Sequence, residues 1–453
     1  MNGALSHGIV VHGQFPGRSF FHAHDRTGQI FVNRLVIPHH MFEALAAGHG
    51  GAAAGRFLAD AARDRNLVLV KAVAGAEAIG DAFEALARMH ETAPRQVDRL
   101  LRYPAVGAWA LAASRALRDR DHIPQPSRPA VLAAVAALRA RVPFETRVTA
   151  RPGELMFPSL GRASIGGADC SIEITPEGGA ITSARSRVEI PADPARDGGG
   201  WLGLRRLTAR HPLGDLHLVL DDLDPYRFPR EGRLAGRLTA AEVAAWCEVL
   251  QKAWEILRAG HARSADEIGT MISVMAPIAG GGWPASGTSR TTFGCVALAR
   301  PSSAPNLAAT LVHEVQHAKL TMLLHLVDLI AVDPGARYYA PWRHDPRPIS
   351  GLLHGTYAHL GVAGFWRRQR QVDDSLTAHA EFARWRAAAA STARVIYDSS
   401  ALTPVGRRFM EGMMATLRAF DDEEVPARAA ELARQAADRH RRDFGRAGGE
   451  ARV

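Results

Sequence analysis

The stretch NLAATLVHEVQHAKLTMLL, residues 306–324, decides how the rest of the chain is read. It holds no Pro or Gly to break a helix, and Pro305 just ahead of it suits a first helical turn. Inside it lies the box His313-Glu314-Val315-Gln316-His317. Residues four apart stack on one helix face, so both imidazoles can reach a single cation. Glu314 is turned by about 100° from His313 and flanks that position without having to bind it. Leu307, Leu311, Leu320, Leu323 and Leu324 surround the box on several faces, so the helix is expected to be buried, and buried histidines need partners. The bland alternative, two stacked core or surface histidines, loses ground on that burial. His325, two turns past His317 and rotated off the stripe, is read as structural.

Two histidines do not hold a catalytic metal, so a third ligand must come from elsewhere and leave positions open for substrate. Leu320 and Leu323 stand where an extended metzincin box would continue, so the third donor lies farther on. His354, in ISGLLHG after a Pro-rich turn, is the first candidate; Asp345 and His359 compete with it. Between box and candidate runs YYAPWRHDPRP, residues 338–348. Its Arg343 and Arg347, on a proline-pinned loop, are suited to clamp a carboxylate, because a guanidinium offers a planar bidentate fork.

Outward from this centre, the helix is expected to span Pro305 to about Val332. Two apolar runs, Met271–Ile278 and Thr291–Ala299, read as short strands around the Gly-rich GGGWPASGTS. Thr239 with Glu242 three residues on forms a capping box opening a helix that closes near Gly260. Toward the N-terminus, 41–47, 52–63, 77–90, 105–118 and 129–141 carry helical apolar spacing, with Leu67–Val70 too short to type. Gly48–Gly51 is read as helix punctuation and not as a phosphate cradle, since no preceding strand or GxGxxG spacing accompanies it. Runs such as Cys170–Ile174, Arg187–Ile190 and Leu216–Leu220 indicate strands. Toward the C-terminus, Thr403–Pro404 marks a helix start, and the Arg-rich tail after Pro426 reads as a solvated helix or frayed end. The expected class is α+β, mostly helical, with a zincin-like HExxH helix beside a small sheet. Four regions follow: a helical 1–141, a β-rich 142–236, a metal-binding catalytic 237–370 and a helical 371–453.

At 453 residues, 47% apolar and 22% charged, the chain can bury a sizeable core of two to four structural units. The net charge of +9 is not a nucleic-acid signature, because 52 of the 55 basic residues are arginine and no basic run is interleaved with aromatics. Only Lys71, Lys252 and Lys319 are lysine. Cys170, Cys247 and Cys295 are an odd, widely spaced set, which excludes a disulfide framework or cysteine zinc site. No signal peptide or membrane span is read in the sequence, so a cytoplasmic protein without a membrane partner is expected.

From Ser289-Arg-Thr through LVHEVQHAKL to YYAPWRHDPRP and LLHGTYAHL, the chain resembles the HExxH-motif proteins found with ribosomally made, modified peptides, the 2-oxoglutarate-dependent HExxH-type peptide β-hydroxylases. The match is dense over residues 270–370 and looser at FEALAAGHGG. The resemblance implies an Fe(II) oxygenase in which His313 and His317 bind iron, His354 matches the downstream histidine, and the arginine loop with Arg343 and Arg347 serves 2-oxoglutarate. It implies a precursor peptide as substrate, with other peptide-modifying enzymes as partners. The chain departs from common iron oxygenases in lacking an obvious carboxylate ligand, which leaves Asp345 or a histidine to complete the set. Imidazoles suit zinc equally, so a zinc metallopeptidase with Glu314 as general base is the alternative, and a non-catalytic peptide-binding protein the third.

Overall fold

The computed structural model describes the backbone of Gly8–Ile9 and residues 36–151, 153–229, 234–280, 286–300, 303–332 and 335–446. Most of the N-terminal stretch read for a signal peptide, and residues 281–285 of the Gly-rich link, lie outside the described residues. The protein is α+β and mostly helical. It gathers into two compact units, one of residues 1–58, 252–270 and 302–453, the other of 59–251 and 271–301.

The first unit is built on helices. The HExxH helix spans Ala304–Leu326, capped by Ser303, whose hydroxyl accepts from Asn306 N at 3.4 Å, with Pro305 in its first turn. It stops short of Val332 because the chain turns extended at Val327 and spends its backbone groups elsewhere. Ala331 N donates to the Ala401 carbonyl at 2.7 Å, and Thr403 N to that of Leu329 at 3.1 Å. A Cβ at Gly406 would sit 1.9 Å from the Leu329 carbonyl oxygen, so only glycine admits this crossing. The helix Ile349–Asp373 packs on the HExxH helix and on the next one, Leu376–Asp398. Helices His39–Ala46, Pro404–Asp421 and Ala427–Arg446 join them. The Pro404 helix is capped as its Thr-Pro pair implies, Thr403 Oγ1 accepting from Gly406 N at 2.9 Å. The apolar interior includes Phe42 edge-on to Phe409, with centroids 5.9 Å apart, and Tyr357 against the same ring at 5.5 Å.

The second unit combines helices Gly80–Thr92, Pro94–Leu101, Pro104–Asp119 and Arg128–Ala140 with three sheets. Leu67–Val70 turns out to be part of a helix, Gly51–Val73. The anticipated strands are present. Asp169–Thr175 lies between Phe144–Thr149 and Gly178–Ser183 in a four-stranded antiparallel sheet, with Cys170, Ile172 and Ile174 buried on one face as the period of two requires. Leu216–Leu220 runs parallel to Val274–Pro277, and that strand parallel to Cys295–Leu298, in a five-stranded mixed sheet. A buried acidic corner follows Leu220: Tyr103 donates to Asp221 at 2.6 Å, and Arg128 pairs with Asp224 at 2.7 Å. Burial, reinforced by the neighbouring Asp224 charge, pushes the Asp221 carboxyl up to about 7. The three cysteines are free. Among the described residues no helix is long and apolar enough to cross a membrane.

Candidate metal centre

The four-residue spacing of His313 and His317 brings their rings together. The two Nε2 atoms are 3.0 Å apart, with ring centroids at 4.6 Å and planes at 85°. Two nitrogens held by one cation at about 2.0–2.1 Å each would stand about 3.0–3.4 Å apart, so the pair already has the spacing of two ligands. The Ile349–Asp373 helix contributes two more imidazoles. The His359 ring lies 5.0 Å from that of His313, and the His354 ring 5.9 Å from that of His317. Among the described residues no three His, Cys, Asp or Glu side chains form a finished metal-holding group; what the chain presents is a cluster of four rings.

Electrostatics keeps His313, His317 and His359 neutral. His313 and His317 retain some accessible surface, but the protein packed around them is dense. Burial pushes His317 down to about 4, and burial together with the charges of His317 and His359 pulls His313 well below the ordinary histidine value. His359 is driven to about 3, by burial first, against the pull of its hydrogen bond to Gly355. That bond, Nδ1–H to the Gly355 carbonyl at 2.8 Å, makes Nε2 the lone-pair nitrogen, the form in which imidazole binds metals. The His359 ring also lies between two indoles, stacked on Trp342 at 4.4 Å and 14° and tilted against Trp385 at 4.5 Å and 36°. Trp385 is tied in turn to Glu381 at 2.6 Å.

Trp342 reaches His359 because residue 355 has no side chain. A Cβ on Gly355 would stand 2.3 Å from Trp342 Nε1. Gly355→Ala is therefore expected to cost about 1–3 kcal/mol of stability and to lift Trp342 off His359. Urea denaturation with indole emission checks this; an unchanged midpoint and spectrum would mean the loop does not press on the helix.

The arginine loop is closed at its base by paired backbone bonds between Tyr338 and Arg347, at 2.8 and 2.9 Å. Arg343 and Arg347 do grip a carboxylate, and it is that of Asp345. Arg343 Nε and its terminal nitrogen reach Oδ1 at 2.9 and 2.8 Å, and Arg347 reaches Oδ2 at 3.0 Å. Burial works against the Asp345 charge, but the hydrogen bonds from Arg347 and Arg343 outweigh it and hold the carboxyl below its ordinary range. Of the three candidates for a third metal ligand, His354 and His359 thus lie in the ring cluster and Asp345 lies in the fork. The Arg-rich tail forms a helix over the start of this loop: Tyr339 OH meets His440 Nδ1 at 2.8 Å, and His344 stacks on His440 with centroids 5.2 Å apart.

On another side of the same helix the box is anchored. Gln316 Nε2 and Lys319 Nζ both donate to the Gly48 carbonyl, at 2.7 and 3.0 Å. Lys319, fully buried, pairs with Glu267 at 2.8 Å, and Glu267 accepts Gly51 N at 2.9 Å. Gly48 has φ +84, a conformation that suits glycine, so Gly48–Gly51 is punctuation that also seats the box. Glu314, 1% exposed, sits next to His313.

No protein-family model and no curated protein matches the chain. Sequence reasoning missed Trp385 and Glu267 as supports of the site. One signal for the buried pair was available: Lys319 is one of three lysines in a chain that otherwise uses arginine.

Proposed function

We propose that the protein is an Fe(II)- and 2-oxoglutarate-dependent oxygenase that hydroxylates a side chain, at the β-carbon, of a ribosomally synthesised precursor peptide. The observation that carries this reading is the cluster of imidazoles around the HExxH pair, next to a loop whose arginines hold a carboxylate. The motif resemblance supplies the choice of iron and co-substrate, and the zincin-like arrangement of helix and sheet belongs to the same proposal. His313 and His317 would hold the metal, with a third donor from His354 or His359. His313 and His317, which burial holds neutral, need lose no proton to bind it. Bound Fe(II) with 2-oxoglutarate would supply the oxidising chemistry, O₂ placing one oxygen atom in the peptide and one in succinate as CO₂ leaves. Trp342 and Trp385 fix the His359 ring and shield that side from water, while Arg343 and Arg347 would orient the co-substrate through its distal carboxylate. The net positive charge favours an acidic peptide segment only at short range, since steering fades over about 8–10 Å at ordinary salt.

A second reading rests on Glu314, buried beside the same rings: a zinc peptidase in which this carboxylate is the general base. Anaerobic purification, Fe(II) loading and mass spectrometry of peptide with 2-oxoglutarate and O₂ test the first reading. The expected result is a gain of one oxygen in the peptide with equimolar succinate. Cleaved peptide whose fragments together gain one water and no further oxygen, lost on Glu314→Gln, would replace it with the second.

A further inference from the structure

We infer that Asp345 is a built-in competitor of the co-substrate, a tethered carboxylate seated in the arginine fork that an incoming carboxylate must displace. The inference rests on the oxygenase reading above and adds to it a residue that sets how tightly the site takes its acid. The geometry is that of a carboxylate-recognition site in use: one oxygen of Asp345 faces Arg343, the other faces Arg347, with contacts of 2.8–3.0 Å on both. A planar anion with two oxygens is what two convergent guanidiniums select.

The fork is braced from behind. Its ends are tied by the Tyr338–Arg347 backbone pair, and Arg347 lies over Gly351, where a Cβ would stand 3.1 Å from Arg347 Nε. Trp342, next to Arg343 in the chain, is fixed against His359. Asp345 is the loosest member, with half of its side chain exposed, against about a third for either arginine. Exposed ion pairs are weak and exchange readily, so the fork holds its own carboxylate without being sealed by it. A tethered group competes by its high local concentration, which lowers the apparent affinity for a free ligand without abolishing it. The fork then stays aligned while empty of substrate, and an acid with a single weak contact fails to open it.

The test is calorimetric titration of the full-length protein, anaerobic with Fe(II) and also metal-free, using 2-oxoglutarate and glutarate. Glutarate lacks the keto oxygen and cannot form the keto-acid chelate, so in the metal-free titration it reads the fork alone. Asp345→Asn is expected to tighten both ligands by about two- to five-fold, the range in which a surface pair competes. Adding Arg347→Lys to that variant, which keeps the charge but removes the planar fork, should erase the gain, which a general loss of negative charge would not do. If the unaltered protein binds 2-oxoglutarate and Asp345→Asn leaves its affinity unchanged or weaker, the competitor role is overturned and the co-substrate reading stands. If neither protein binds either acid, both are overturned together.

Discussion

His317→Ala is expected to lose its metal while keeping its fold. In metal sites, removing even an outer partner of a ligand costs about 10–100-fold in affinity, so losing a direct nitrogen donor should exceed about a hundred-fold. The fold should survive because a neutral, partly accessible ring leaves no unpaired charge behind. Metal content after gel filtration and a competitive chelator titration read the affinity, and thermal unfolding of the metal-free protein reads the fold. A variant that retains one equivalent of metal with unaltered affinity would refute the shared-cation reading of His313 and His317. The same titration on His354→Ala and His359→Ala identifies the third donor. His359 has the closer approach to the pair and an Nδ1 already committed to a carbonyl, so its loss is expected to weigh more.

The second large effect lies on the other side of the same helix. Lys319→Met leaves Glu267 buried with its charge unpaired, a situation that costs about 3–5 kcal/mol. The Gly48 carbonyl loses one of its two donors as well. Adding Glu267→Gln removes the stranded charge and keeps an oxygen for Gly51 N, so the double variant should recover most of the loss. Urea unfolding of the two single variants and the double closes the cycle. A single variant within about 1 kcal/mol of the unaltered protein would mean that the pair is not buried in solution.

Much of the centre could be read from spacing. Four-residue separation stacks His313 on His317, and Ser303, Thr239 and Thr403 each open a helix where side-chain oxygens can meet unpaired N–H groups. Local chemistry of this kind lies within a few residues of chain and leaves a mark in the sequence. The arginine fork was legible too, and Asp345, two residues from each arginine, could have been recognised as its occupant. What was not legible depends on contacts between distant segments. His359 meets His313 across 46 positions, Trp385 comes from yet another helix, and Glu267 reaches Lys319 across 52. The early end of the HExxH helix at Leu326 has the same cause: the backbone pairs with Ala401–Thr403, which no periodicity within residues 305–332 announces. The gathering of three separate stretches into one unit is likewise a property of long-range packing.

Burying Lys319 leaves two exposed lysines, Lys71 and Lys252, and they fall in different units. With the N-terminal amine blocked, amine-reactive dyes therefore have a single lysine handle on each unit, and molecules carrying one donor and one acceptor can be selected after mixed labelling without engineering a cysteine. Energy transfer between them would report, in the native sequence, whether the two units change their separation when metal or peptide is added.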